Sequence, residues 1–228
     1  MYISRLTLKA QNSYQWFKVL KKNQYQWHQV LWPLFEGQSL RHHSHDQKPW
    51  ADFLYRVDLS ENQPTVYVVS ARKMQTEHSL WQIDSKPYQP QLYPGQTLFF
   101  SLRANPTLKH RGKRHSVITH AKKIFKQQLQ ATQNRLPEPY ELWQVTQQTA
   151  YQWLDKQSLG IQLKAPLRIE HHDEYLHKNK APAPICYTAI DYQGSCTVND
   201  PKRFKQALYQ GVGKSRRFGC GLILIKPA

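Results

Sequence analysis

The chain has 228 residues, with 32 Lys and Arg against 15 Asp and Glu, for a formal charge of +17. An apolar share of 39% with seven Trp, 13 Tyr and eight Phe supplies real cores, which excludes a disordered polycation and leaves room for two domains of about a hundred residues. There is no run of 18 apolar residues, Met1–Arg5 leads into an alternating strand rather than a signal-type segment, and the three cysteines (Cys186, Cys196 and Cys220) lack C-x-x-C spacing. A spanning helix, a disulfide framework and a thiolate zinc site are thereby disfavoured, and the expectation is a soluble protein of the reducing cytoplasm with no membrane partner.

In chain order, residues 2–9 read as a strand, and residues 22–36 as a helix with Trp27, Val30, Leu31 and Leu34 on its core face. Tyr25, His28 and Trp32 gather on an adjacent face, and Pro33 is expected to kink the helix or end it early. Residues 53–59 and 65–70 read as paired strands, 76–84 as a weak short helix and 88–92 as a closing strand, with Tyr93-Pro94-Gly95 as linker. The order then repeats. Residues 97–103 read as a strand, 105–114 as a basic loop, 119–130 and 138–158 as helices, and 161–169 and 185–198 as strands. A helix capped by Asp200-Pro201 runs to Tyr209 and ends at Gly211, and residues 221–225 form the last strand. The expected architecture is α+β, two tandem ferredoxin-like (RRM-like) βαββαβ domains, residues 1–94 and 95–228.

Charge is unevenly spread. No acid occurs in residues 1–35, 85–137 or 201–228, which hold 22 of the 32 Lys and Arg. Such clusters point to a polyanion, nucleic acid above all. The basic segment contains Arg103, Asn105, Lys109, Arg111, Lys113 and Arg114, and a weaker arm carries Lys164 and Arg168 before His171-His172. Near the end, Gly211 and Gly213, then Gly219 and Gly221, bracket Lys214, Ser215, Arg216 and Arg217. Their exposed amides and cations suit a phosphate backbone, while a plain glycine-rich turn before a core strand is the alternative. The glycines follow a helix and precede a strand, which disfavours a nucleotide cofactor site, and no cofactor is expected. The His42-His43-Ser44-His45 and His171-His172 runs lack metal-ligand spacing on a helix, so no metal site is assigned.

Tyr25 and His28 lie three apart and share a helix face. Imidazole moves protons near neutral pH, and a neighbouring phenol can orient it or a scissile phosphate. A histidine without a chemical role on a half-exposed helix is the plain alternative.

Taken together, the Gly211–Gly221 pattern, the Met1-Tyr2-Ile3-Ser4 strand, the Tyr25–Trp32 helix and Leu102–Pro106 resemble the CRISPR repeat-processing endoribonucleases, in the CasE branch of the type I-E systems. The resemblance covers the whole chain. It implies a metal-independent endoribonuclease that cuts precursor CRISPR RNA beside the repeat stem-loop and then stays on the crRNA with the other Cascade subunits. It places the catalytic histidine at His28 and its tyrosine at Tyr25. Lys18, Lys21, Lys22 and Lys214 are candidates for a supporting lysine, and whether His28 acts as base or acid stays open. A subunit that binds hairpin RNA without cutting it is the alternative.

Overall fold

The computed structural model describes residues 1–9, 24–35, 53–58, 64–177 and 185–228, and of residues 24–26, 171–177 and 185–186 the backbone alone. The first half contains β1 (Tyr2–Leu8), α1 (Gln24–Leu31), β2 (Phe53–Asp58), β3 (Thr65–Ser70) and β4 (Trp81–Pro87). Its sheet runs β2-β3-β1-β4, with every pair antiparallel. The second half has β5 (Thr97–Ala104), β6 (Thr107–His110), β7 (Lys113–Ser116), α2 (Val117–Gln133), α3 (Pro139–Asp155), β8 (Ile161–His177), β9 (Ile185–Val198), α4 (Pro201–Gln210) and β10 (Ile223–Pro227). There β10-β5-β9-β8 form the second antiparallel sheet. In both sheets the first strand of the unit lies between the third and the fourth, which is the ferredoxin-like order. The tandem arrangement expected from the sequence is the fold of the protein.

In the first unit, Trp27 and Leu31 of α1 bury against Leu6, Tyr55, Val66, Val68 and Trp81. Proline has no amide to continue the helical ladder, and α1 ends at Leu31, passing into a 3-10 turn over Trp32–Leu34 that contains Pro33. Two expectations fail here. Residues 76–84 are not helical: Trp81 and Ile83 are buried while Gln82 and Asp84 are exposed, a period of two that suits a strand and not a helix. Thus 81–87 is the closing strand, paired along β1 from Leu8↔Trp81 to Tyr2↔Pro87, and 88–92 is not a strand.

The second unit is the more complete. Asp200 caps α4 by accepting from the Arg203 amide at 3.0 Å, with Pro201 in the first turn. Glu138 and Glu141 form a capping box at the start of α3. Leu102, Ile118, Leu154, Tyr192, Phe204 and Leu208 are fully or nearly fully buried in one core. The segment read as a basic loop is a hairpin, β6–β7, that leads directly into α2. The last strand starts at Ile223 rather than Gly221, because Gly221 takes a φ of +99°, outside the extended region.

The sheets touch. Leu54 and Val69 of the first bury with Leu222 beside the second, and Arg56 donates to the Ser101 hydroxyl. The contact brings the end of the chain against α1. Among the described residues no helix is long and apolar enough to cross a membrane.

Candidate active site and nucleic-acid interface

His28 is half-buried on α1, set in aromatic surroundings that fix its ring plane. Its imidazole stacks on Phe53 with centroids 4.8 Å apart and planes 16° off parallel. Trp32, one turn on, lies 5.5 Å away and Tyr55 6.3 Å. The expected grouping of His28 with Trp32 is therefore present. Tyr25 lies on the same short helix, three residues earlier, and its side chain falls outside the described set. Lys18, Lys21 and Lys22 lie outside the described residues, as do His42, His43 and His45.

Beneath His28 lies Tyr55, which no local sequence pattern marks. Its hydroxyl donates to Arg217 O at 3.0 Å, tying β2 to the glycine-rich segment. Burial pushes the phenol well above its ordinary range, Tyr187 and Cys220 nearby push the same way, and a main-chain hydrogen bond with His28 opposes them. Tyr55 is therefore a neutral strut at neutral pH. Tyr55→Phe is expected to cost about 1 kcal/mol, read as a lower melting temperature, because the part-buried bond to Arg217 O is lost.

The glycine-rich segment closes the other side. Arg216–Phe218 form a 3-10 turn that packs on α1 and β2. Gly211 and Gly221 are the positions where only glycine fits. Their φ values are +74° and +99°, and Val212 N donates to Gly221 O at 2.9 Å. A Cβ on Gly211 would lie 2.8 Å from Leu54 Cδ2, and one on Gly221 would lie 2.9 Å from Val212 O. Gly211→Ala is expected to cost roughly 2–4 kcal/mol in a urea titration, from left-handed strain plus overpacking. Gly213 and Gly219 also have positive φ.

The amides of Gly211, Val212, Phe218, Gly219, Cys220 and Gly221 all bond to backbone carbonyls, so these six are spent within the fold and are not offered to an anion. What it presents is cations. Lys214 and Arg217 are exposed, whereas Arg216 is half-buried, its pKa lowered by that burial, with Nη2 3.4 Å from Gly211 O. Ser215 accepts from Asn105 Nδ2 at 2.6 Å, and Asn105 is buried and bridges to Lys214. Arg103 donates Nε and Nη2 to the two Asp191 oxygens at 2.7 and 2.6 Å, across the β5–β9 register. Arg103, Asn105 and Ser215 thus hold the segment in place.

The β6–β7 hairpin carries the densest exposed charge. Its register sets Lys109 opposite Arg114 and His110 opposite Lys113. Lys109, Arg111, Lys113 and Arg114 are all exposed, and among the described residues none of them is in an ion pair. Like charges directly across a strand pair are destabilising, so this arrangement suits an anionic partner. Positive φ at Arg111 (48°) and Gly112 (77°) gives the tight reversal that lets the hairpin project. His110 beside the turn, His115 on the second strand and His120 in the first turn of α2 cluster with ring centroids 5.2–6.5 Å apart. No group of three or more metal-ligating side chains that could hold an ion is found among the described residues. Lys164 is exposed and reaches Thr97 Oγ1 at 3.1 Å, and Arg168 pairs with Glu170. Cys196 and Cys220 are buried, which pushes their thiols up to about 11 and about 12.

Fold and site together define a tandem ferredoxin-like protein in which a histidine-bearing helix is walled by a glycine-rich, cationic segment. The profile of the family described as "CRISPR associated protein" matches residues 1–227, and the chain belongs to that family. It is 29% identical over 147 residues to the CRISPR-associated endoribonuclease Cse3 of Thermus thermophilus, an alignment spanning 62% of this chain and 61% of that relative. The whole fold resembles a CRISPR endoribonuclease Cse3 bound to 19 nt RNA (TM-score 0.65, 23% identity, all of both chains). It also resembles Cas6e of Escherichia coli (TM-score 0.61, 21% identity, all of both chains). A chain of a CRISPR RNA-guided surveillance complex matches at TM-score 0.63 and 14% identity, again over all of both chains.

Proposed function

We propose that the chain is an endoribonuclease that cuts precursor CRISPR RNA beside the repeat stem-loop and stays on the product with the other Cascade subunits in the cytoplasm. The observation that carries the reading is the packing of the His28 helix against the cationic turn Arg216–Phe218. It puts a proton-transfer group and phosphate-seeking charge on one surface. The relative's name, an endoribonuclease, and the RNA-bound and complex-bound structures of similar fold agree with it.

In this reading the hairpin and the Lys164–Arg168 strand grip the stem through its phosphates, since an A-form duplex is recognised mostly by shape and backbone. Lys214 and Arg217 hold the scissile phosphate. The 2′-oxygen attacks the adjacent phosphorus, its proton passes to a base, the bond to the 5′-oxygen breaks and that oxygen is protonated. The products are a cyclic phosphate and a 5′-hydroxyl. His28 takes one of the two proton transfers, with Tyr25 orienting it or the phosphate. With side chains in both proton-transfer roles and cations on the phosphate, the reaction needs no cofactor or metal. We take residues 1–94 and 95–228 as the domains, in line with the partition of the strands between the two sheets.

Incubation with a cognate repeat hairpin in EDTA is expected to yield those two ends at an undiminished rate. Loss of cutting in chelator, restored by a divalent ion, would overturn the metal-independent mechanism. Binding without cutting over a range of pH and repeats would favour the non-catalytic hairpin-binding subunit.

A further inference from the structure

Away from the His28 site, the start of α3 exposes two large aromatics. Tyr140 and Trp143 are 64% and 55% exposed, and they stack on each other with centroids 5.8 Å apart and planes 19° off parallel. Neither serves the core of its own helix, which is Thr146, Ala150, Trp153 and Leu154. Beside Trp143 opens a cleft of about 710 Å³, bounded by Lys122 of α2, Gln147 of α3, and Ile169 and Glu170 of β8.

The charge around the cleft is cationic in effect. Helix α2 carries Lys122, Lys123 and Lys126 and no acid. The nearby acids are engaged: Arg168 binds Glu170, Arg135 takes both oxygens of Glu141, holding that carboxyl down at about 2, and Glu138 uses its side chain to cap α3. Gln147 donates to Ile169 O at 3.0 Å, so its amide is fixed with the carbonyl oxygen as its acceptor. Flat, exposed rings beside a lysine are what a single strand of nucleic acid needs: the π-faces take bases, and the ammonium takes a phosphate. A duplex stem cannot use the rings, because its bases are already stacked and paired. The position agrees. Lys122 lies six residues into α2 from Ser116, where the cationic hairpin ends, about 9 Å of helix.

We propose that Tyr140, Trp143 and the adjoining cleft bind the unpaired RNA that flanks the stem-loop, with a base stacked on the aromatic pair and Lys122 on its phosphate. The proposal rests on the RNA reading above and adds to it a second contact, specific for single strand.

Two synthetic RNAs test it against the full chain: a bare hairpin, and the same hairpin with a single-stranded flank carrying 2-aminopurine. Wild-type protein is expected to bind the flanked RNA more tightly and to change the 2-aminopurine emission. The double variant Tyr140→Ala/Trp143→Ala is expected to lose about 5- to 100-fold in affinity for the flanked RNA. It should bind the bare hairpin as before and melt at the same temperature, and Trp143→Phe should keep most of the flank advantage. Equal loss on both RNAs, or no loss on either, overturns the proposal. So does a double variant that binds RNA normally yet no longer co-purifies with other protein subunits, since the patch would then be a protein contact. Failure of the wild-type protein to bind the bare hairpin sinks the RNA reading itself, and this proposal with it.

Discussion

His28→Ala is expected to lower the cleavage rate of a cognate repeat hairpin by about 10²–10⁴-fold, the usual contribution of a positioned acid or base, while RNA affinity stays within about twofold. The separation follows from geometry. The imidazole packs on Phe53 and Trp32 rather than joining the projecting cationic hairpin, so it contributes little to phosphate binding. Alanine also removes a stacked ring, and part of any loss could come from a loosened helix. His28→Phe separates the two effects, because it keeps an aromatic face on Phe53 and cannot carry a proton. Both variants should be equally inactive in single-turnover assays, and only the alanine should melt earlier. A phenylalanine variant that cuts at the wild-type rate would remove His28 from the chemistry.

The second large effect is on binding. Replacing Lys109, Arg111, Lys113 and Arg114 together by alanine is expected to reduce the slope of log affinity against log salt by roughly three to four. The cost in affinity should therefore be far greater at low salt than at high salt. The same change should leave the free protein as stable as before, or slightly more so, since it removes the Lys109–Arg114 opposition across the hairpin. Those opposite signs, weaker binding without weaker folding, mark charge kept for a partner and not for the fold. An unchanged salt slope would mean that the hairpin does not touch the RNA backbone.

Local rules made much of this legible in the sequence. The alternation of β1, the apolar face of α1 ending near Pro33, the Asp200-Pro201 start of α4 and the positive φ of four glycines all follow from near neighbours. Trp81-Gln82-Ile83-Asp84 alternates equally clearly in the structure, but four residues decide little locally, and the partner strand that settles them lies more than seventy residues away. The hairpin was hidden for another reason. Its alternating faces are cationic on both sides and carry no apolar stripe, so nothing distinguishes them from a loop until the Arg111-Gly112 turn is seen. At the site, His28 and Trp32 were legible as helix neighbours. Tyr55 and the Arg103–Asp191 pair were not, because long-range register decides them.

The bond from Tyr55 to Arg217 joins residues 162 apart in sequence. Closing so long a segment costs entropy that only finished packing on both sides returns. The surface that His28 faces therefore does not exist in a chain with one sheet formed, or in two sheets formed but undocked. Competence at this site is a late, all-or-none reward of folding. A chain that stalls halfway is silent toward RNA chemistry, whatever the state of its first helix.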